Sequence, residues 1–247
     1  MSLEPRLFAL AGIVFAGYVV QTVTGFGSAL VCLTFGALLY PIPEIVPLIV
    51  PLSFAQSVYI VVRHYRDVNV RFLFVRILPL MGAGVGVGML IAHAYHGDAL
   101  RYAFGGLVLV LSLRELYVAL RREAAQAPLP RAASMAAIFG AGITHGVYGA
   151  GGPLLVYATS REGLEKGPFR ATLGGVWLVL NAIMTTAFAF RGVYDVPHLT
   201  SLGVMLCAIP FGIAVGEVVH HRVDERRFKI GVLALLTLAA LSLFVAH

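Results

Sequence analysis

Charge is scarce in this chain. Only 12% of its 247 residues are Asp, Glu, Lys or Arg, while 59% are hydrophobic, and an ordinary soluble domain carries about 25% charged residues. The acids sit at the ends of apolar runs or in loops, and none falls deep inside one. That argues against a cation carrier, which would place carboxylates along its path. Cysteine is nearly absent. Cys32 and Cys207 both lie in apolar segments; they are too few for a disulfide framework and read as small core residues. Catalytic signals are missing as well. Ser28 has no Gly-x-Ser-x-Gly setting, and His220-His221 lies in a basic loop without Cys or carboxylate partners. No metal and no cofactor are expected. The glycines at 82, 84, 86 and 88 stand in an apolar run, where they read as a helix-packing face and not as the nucleotide site of a pump. The net charge of +6 is spread over short loops with no continuous basic face, which excludes nucleic acid as a partner.

What the chain has in quantity is apolar sequence. Runs at 7–23, 45–62, 72–93, 100–120, 171–190, 199–219 and 230–245 are almost free of charge. Each approaches the ~20 residues needed to cross ~30 Å of hydrocarbon. The runs do not alternate as the strands of a transmembrane barrel do. Arg6 precedes the first run, but Ala9-Leu10-Ala11 comes too early to end a signal sequence, so that run is expected to be retained. Two stretches are interrupted: 7–40 breaks at Gly25-Phe26-Gly27-Ser28, and 134–160 breaks at Gly149-Ala150-Gly151-Gly152-Pro153. At ~1.5 Å per residue, 28–40 reaches about 20 Å and 152–160 about 14 Å, too short to span comfortably. Both stretches are therefore expected to form helix–break–helix hairpins that turn inside the membrane, where irregular backbone must be buried in protein or line a cavity.

The halves resemble each other. The segment 21–27 aligns with 145–151, and 63–68 with 191–196. Gly82 and Gly86 pair with Gly212 and Gly216, Asp98 with Asp224, and Gly105 with Gly231. The fold expected is all-α: a polytopic transmembrane helical protein of two inverted-topology repeats, each a broken helical hairpin plus three spans. Residues 1–120 form the first repeat, 121–133 a cytoplasmic link, and 134–247 the second. In this arrangement 15 of the 18 Lys and Arg residues fall on one side, leaving Arg6, Arg101 and Arg191 on the other. The positive-inside rule then puts both termini on the non-cytoplasmic side.

Inverted repeats with broken helices are the build of many secondary transporters, whose site lies near the midplane at the broken elements. A helix starting at Gly27 or Gly151 presents unpaired N–H groups and the positive end of its dipole, which suit an anion. Candidate substrate-binding residues cluster around the breaks: Gln21, Thr24, Gly25, Phe26, Gly27 and Ser28 at the first, and His145, Tyr148, Gly149, Gly151 and Gly152 at the second. Ser53, Gln56 and Asn181 join them from the spans that follow, Ser53 and Asn181 at matching repeat positions. Each of these could instead bond a neighbouring helix. Arg63 and Arg191 are expected at helix ends with their charges in water. His145 is the ionisable residue placed nearest the midplane. Its counterpart Gln21 cannot titrate, so His145 is a candidate for anion binding and for coupling to protons.

These residues carry a family resemblance. Gly17-Tyr18 through Gly25-Phe26-Gly27, then Gly149-Ala150-Gly151-Gly152-Pro153-Leu154, and Phe169-Arg170-Ala171-Thr172 leading to Asn181 resemble the TauE/SafE family of sulfite and organosulfonate exporters. The resemblance covers nearly the whole chain. It implies export of a small sulfur-containing anion, such as sulfite or sulfoacetate, across the cell (inner) membrane. An anion channel, an importer of a related anion and an integral membrane enzyme are the alternatives. The expected partners are a small anionic substrate and the lipid bilayer, with protons as coupling ion and homo-oligomer formation left open.

Overall fold

The structure is a computed structural model, in which residues 5–24, 27–95, 98–121, 129–159 and 165–245 are described. The described residues are helical throughout, without strands. In order come α1 (Pro5–Thr24), α2 (Ser28–Gly36), α3 (Ile42–His64), a 3-10 turn (Tyr65–Asp67), α4 (Val70–Phe72), a π turn (Leu73–Ile77), α5 (Leu78–Ala94) and α6 (Asp98–Arg121). Then follow α7 (Arg131–Tyr148), α8 (Gly152–Thr159), α9 (Lys166–Phe190), α10 (Val196–Arg222) and α11 (Glu225–Val245). Among the described residues, seven helices are long and apolar enough to cross a membrane: Pro5–Val23, Ile42–Asp67, Val70–Ala94, Asp98–Arg121, Gly167–Phe190, Val196–Val219 and Arg226–Val245. They coincide with the seven runs legible in the sequence. Large apolar side chains such as Phe74, Leu90, Val110 and Leu238 stand exposed on them. Water would penalise such faces, whereas lipid accepts them. The chain is a multi-pass membrane protein.

Two compact units form. One comprises Met1–Leu48, Tyr95–Ala124 and Tyr194–His247; the other comprises Ile49–Ala94 and Ala125–Val193. In the first, α1 packs along α10 and α6 along α11; in the second, α5 packs along α7.

Small residues set these contacts. In the second unit, a Cβ on Gly84 would strike the Phe139 carbonyl oxygen and come within 2.9 Å of the Gly142 Cα. One on Gly88 would meet the Ile143 carbonyl oxygen and the Gly146 Cα in the same way. Two glycine pairs four residues apart thus let the backbones of α5 and α7 touch, the close approach on which helices in lipid rely. The first unit repeats the contact. Gly212 on α10 faces the Phe15 carbonyl oxygen at 2.8 Å and the Tyr18 Cβ at 3.0 Å, and Gly216 faces the Thr22 Cβ at 2.6 Å. Phe15 and Phe139 stand at the spacing that pairs Gln21 with His145. The expected pairing of Gly82 and Gly86 with Gly212 and Gly216 is therefore off by two: Gly84 and Gly88 make the equivalent contact, while Gly82 and Gly86 face open space.

Helix ends are satisfied locally. Asp195 caps α10 by accepting the His198 N–H at 2.9 Å. That bond, and then the one to the His198 ring, hold its carboxyl below the usual carboxylate range. Asn69 caps α4 by accepting the Phe72 N–H at 3.0 Å, and its own N–H donates to the Thr172 hydroxyl at 2.9 Å. Pro51 has no N–H to offer the carbonyl one turn before it, that of Pro47; the Tyr194 hydroxyl donates there instead, at 3.1 Å. Arg226 donates to the Ala119 and Leu120 carbonyls at the end of α6, a cation at the negative pole of a helix. Arg63 and Arg191 are exposed at helix ends, as expected. Cys32 is buried, but Cys207 is exposed on α10, so it is not the core residue expected.

The α5–α7 contact gives a direct test. Gly84→Val should cost at least the ~1–3 kcal/mol typical of overpacking, and Gly86→Val should melt like the wild type. Thermal melting of the two purified variants in detergent checks this; equal Tm values for both would remove the contact from the account of stability.

Candidate functional site

Each break sits in its own unit. At the first, α1 closes at Thr24, and Gly27 takes φ 103°, ψ −2° before α2 begins. This left-handed conformation suits glycine. Gly25 and Phe26 lie outside the described residues. The short helix α2 then runs back along α1. A Cβ on Gly17 would meet the Cys32 Sγ at 2.6 Å and the Ser28 carbonyl oxygen at 3.2 Å, and Cys32 lies 3.9 Å from the Ile13 carbonyl oxygen. The Gln21 side chain closes the turn, its Oε1 accepting the Ser28 N–H at 3.2 Å. Gln21 is thus already committed to backbone. Ser28 is buried. Helix α2 ends at Gly36, short of the expected residue 40, because Pro41 disfavours helical backbone at the residue before it and has no N–H to continue the ladder.

The second break has the same plan with different chemistry. Helix α7 ends on Gly149 at φ 65°, ψ 12°, whose N–H donates to the His145 carbonyl at 2.7 Å. This is a left-handed helix stop. The Gly151 carbonyl receives the Leu155 N–H at 3.1 Å as α8 begins. Gly151 itself has no room: a Cβ there would strike the Ala141 carbonyl oxygen and lie 2.9 Å from both the His145 Cβ and the Met81 Cε. Gly151 lets the break pack on α7. Gly152 is the roomier position, where a Cβ would make ordinary contact with Trp177 Cζ2 at 3.7 Å.

Around the start of α8 stands a polar cluster. His145 is 1% exposed, and neither ring nitrogen has a hydrogen-bond partner. Asn181, on α9, stands beside the imidazole and is equally buried, and its Oδ1 makes no hydrogen bond of good geometry. The indole of Trp177, one turn before Asn181 on the same helix, has its ring centre 5.2 Å from the imidazole with the planes at 37°. Buried polar groups without partners are rare, and each calls for an explanation. Here two occur together at the positive end of a helix, where an anion is favoured.

The structure therefore brings together His145, Gly149, Gly151, Gly152 and Asn181 in the second unit, and Gln21, Gly27 and Ser28 in the first. Tyr148 is buried at the end of α7. Ser53 and Gln56 lie on α3 in the second unit; Gln56 is buried, and the Ser53 hydroxyl has no partner. Trp177 was missed in the sequence because an aromatic residue in an apolar span looks like core. The signal was there: it is the single tryptophan of the chain, one turn before Asn181. A cavity of about 370 Å³ in the first unit, lined by Ala9, Gly12, Ile13, Ala16, Val20, Val31, Phe35, Val232 and Leu235, is wholly apolar and offers an anion nothing.

The two adjacent glycines should part company. Gly151→Ala should lower the melting temperature of the purified protein, because its Cβ meets backbone, whereas Gly152→Ala should stay within ~0.5 kcal/mol of wild type. A larger loss at Gly152 would contradict the packing described.

No curated protein and no solved structure matches the chain. The family described as "Sulfite exporter TauE/SafE" matches residues 9–243. Over nearly its whole length, the chain belongs to the TauE/SafE family of sulfite exporters.

Proposed function

We propose that the chain is a secondary transporter that exports a small sulfur-containing anion, sulfite or an organosulfonate such as sulfoacetate, across the cell (inner) membrane. The substrate is held at the start of α8, the helix that follows the second break. The observation that carries this reading is His145, a fully buried imidazole without a well-formed hydrogen bond, with Asn181 beside it, close to the start of α8. The imidazole can donate an N–H, which suits a small oxyanion with its several acceptor oxygens. The helix dipole favours the same sign of charge. Membership of the family supports sulfur as the central atom. No acid lies deep inside an apolar run, which leaves the middle of the spans without groups that would repel an anion.

Flux into proteoliposomes tests it. Sulfite and sulfoacetate should move and ethylamine should not; equal movement of all three would defeat the reading. His145→Gln places at the second break the residue found at the first. Its flux should fall about tenfold, the loss of a good polar contact, and an imposed pH gradient should drive it less than wild type if protons are coupled through this ring. Flux at the wild-type rate would assign His145 to packing.

The orientation follows from charge. The two copies are inverted with respect to each other, and both termini lie on the non-cytoplasmic side. Glu44, in the first turn of α3, and Asp67, in the 3-10 turn that follows it, are exposed. In a cysteine-free background, Glu44→Cys should react with an impermeant maleimide on intact cells and Asp67→Cys only after lysis. The opposite pattern reverses the orientation.

A further inference from the structure

We propose that Trp177 decides which sulfur anion the site prefers: its indole is the wall that receives the carbon tail of an alkyl sulfonate whose oxygens lie at the start of α8. The inference rests on the anion-carrier reading above and goes beyond it by assigning selectivity to one residue.

Position makes the first argument. Trp177 reaches the start of α8, with Cζ2 at 3.7 Å from where a Gly152 Cβ would be, and its ring stands 5.2 Å from His145. The same ring thus borders both the helix end that suits the anion's oxygens and the imidazole that could bond them. Its neighbours Val176 and Leu180 are fully buried on α9, but Trp177 keeps part of its surface open.

The repeat makes the second argument. The spacing that pairs Ser53 with Asn181 pairs Ile49 with Trp177. Ile49 is buried on α3. An aliphatic residue therefore meets the packing needs of this place in the other copy, and the fold does not require the indole. What an indole adds is a broad apolar face with low conformational freedom. Such a face does little for a bare oxyanion, which has no apolar surface to place on it. A methylene laid against it leaves water, an effect of about fourfold in affinity per buried CH2.

The test uses the full-length purified chain and a homologous series: sulfite, methanesulfonate, ethanesulfonate and propanesulfonate, with affinities measured by calorimetry. Wild type should gain about fourfold with each added methylene. Trp177→Ala should flatten that progression, and Trp177→Phe, which keeps a ring, should retain most of it. A merely structural role would lower all four affinities together and leave the progression intact, and that result would overturn the proposal. So would a wild type with no progression. Should Trp177→Ala fail to fold, the wild type decides. Trp177 is its sole source of tryptophan emission, and saturating propanesulfonate should shift that emission more than saturating sulfite. Equal or absent shifts, with binding seen by calorimetry, defeat the proposal. A wild type that binds none of the four defeats the carrier reading itself, and this inference falls with it.

Discussion

Hydrocarbon cannot hydrogen-bond a peptide group, and each unpaired one there costs several kcal/mol. A membrane helix that stops short must therefore give its broken backbone to protein. This chain breaks two helices, and most of its conspicuous local features answer that demand. Helix α2 lies back on α1 with Gly17 against Cys32 and Ser28, and Gln21 covers the Ser28 N–H. At the other break, Gly149 returns its N–H to His145, and Gly151 sinks against the Ala141 carbonyl. The same need explains why glycines gather where they do. At the breaks, Gly27 and Gly149 act through backbone conformation, and Gly17 and Gly151 work by letting chains approach.

The helical, membrane-spanning character was legible because charge marks the ends of spans so sharply. The breaks were legible too, since glycine clusters interrupt stretches already too short to cross. The role of each glycine was not. In the series at 82, 84, 86 and 88, residues four apart share a helix face, so the sequence offers two equivalent faces and no means of choosing. Only the packing of α5 on α7 selects Gly84 and Gly88. With that choice, the glycines of the two copies fall at the same spacing as Asp67 and Asp195, and no insertion is needed between them.

The candidate site was half legible. His145 and Asn181 stood out as polar residues within apolar surroundings, and burial without a partner is what the structure gives them. Gly151 and Gly152 could not be told apart, because the difference between them is which one meets the backbone of α7. Gln21 looked like a ligand for the same reason as His145. In the structure it bonds the Ser28 N–H, since a flexible amide near the end of α1 can reach across the break to the start of α2. Trp177 was invisible, because periodicity treats any aromatic residue in a span as lipid-facing or core.

Comparing the copies separates the two kinds of residue. Both must close a broken hairpin and pack a spanning helix against it, and where they do so alike, the fold is speaking: Phe15 and Phe139 offer their carbonyls to the glycines of α10 and α5 in the same way. Where they differ at matched positions, one copy shows what folding alone requires. Gln21 satisfies its own break; His145, in the same place, leaves both nitrogens unused. Ile49 is buried, while Trp177 is partly open. Both departures fall in the second copy, and the two residues are neighbours there. A polar side chain released from capping duty and an aromatic ring not needed for packing have come together at the start of one helix. That convergence is the reason for proposing the second break as the seat of the chemistry.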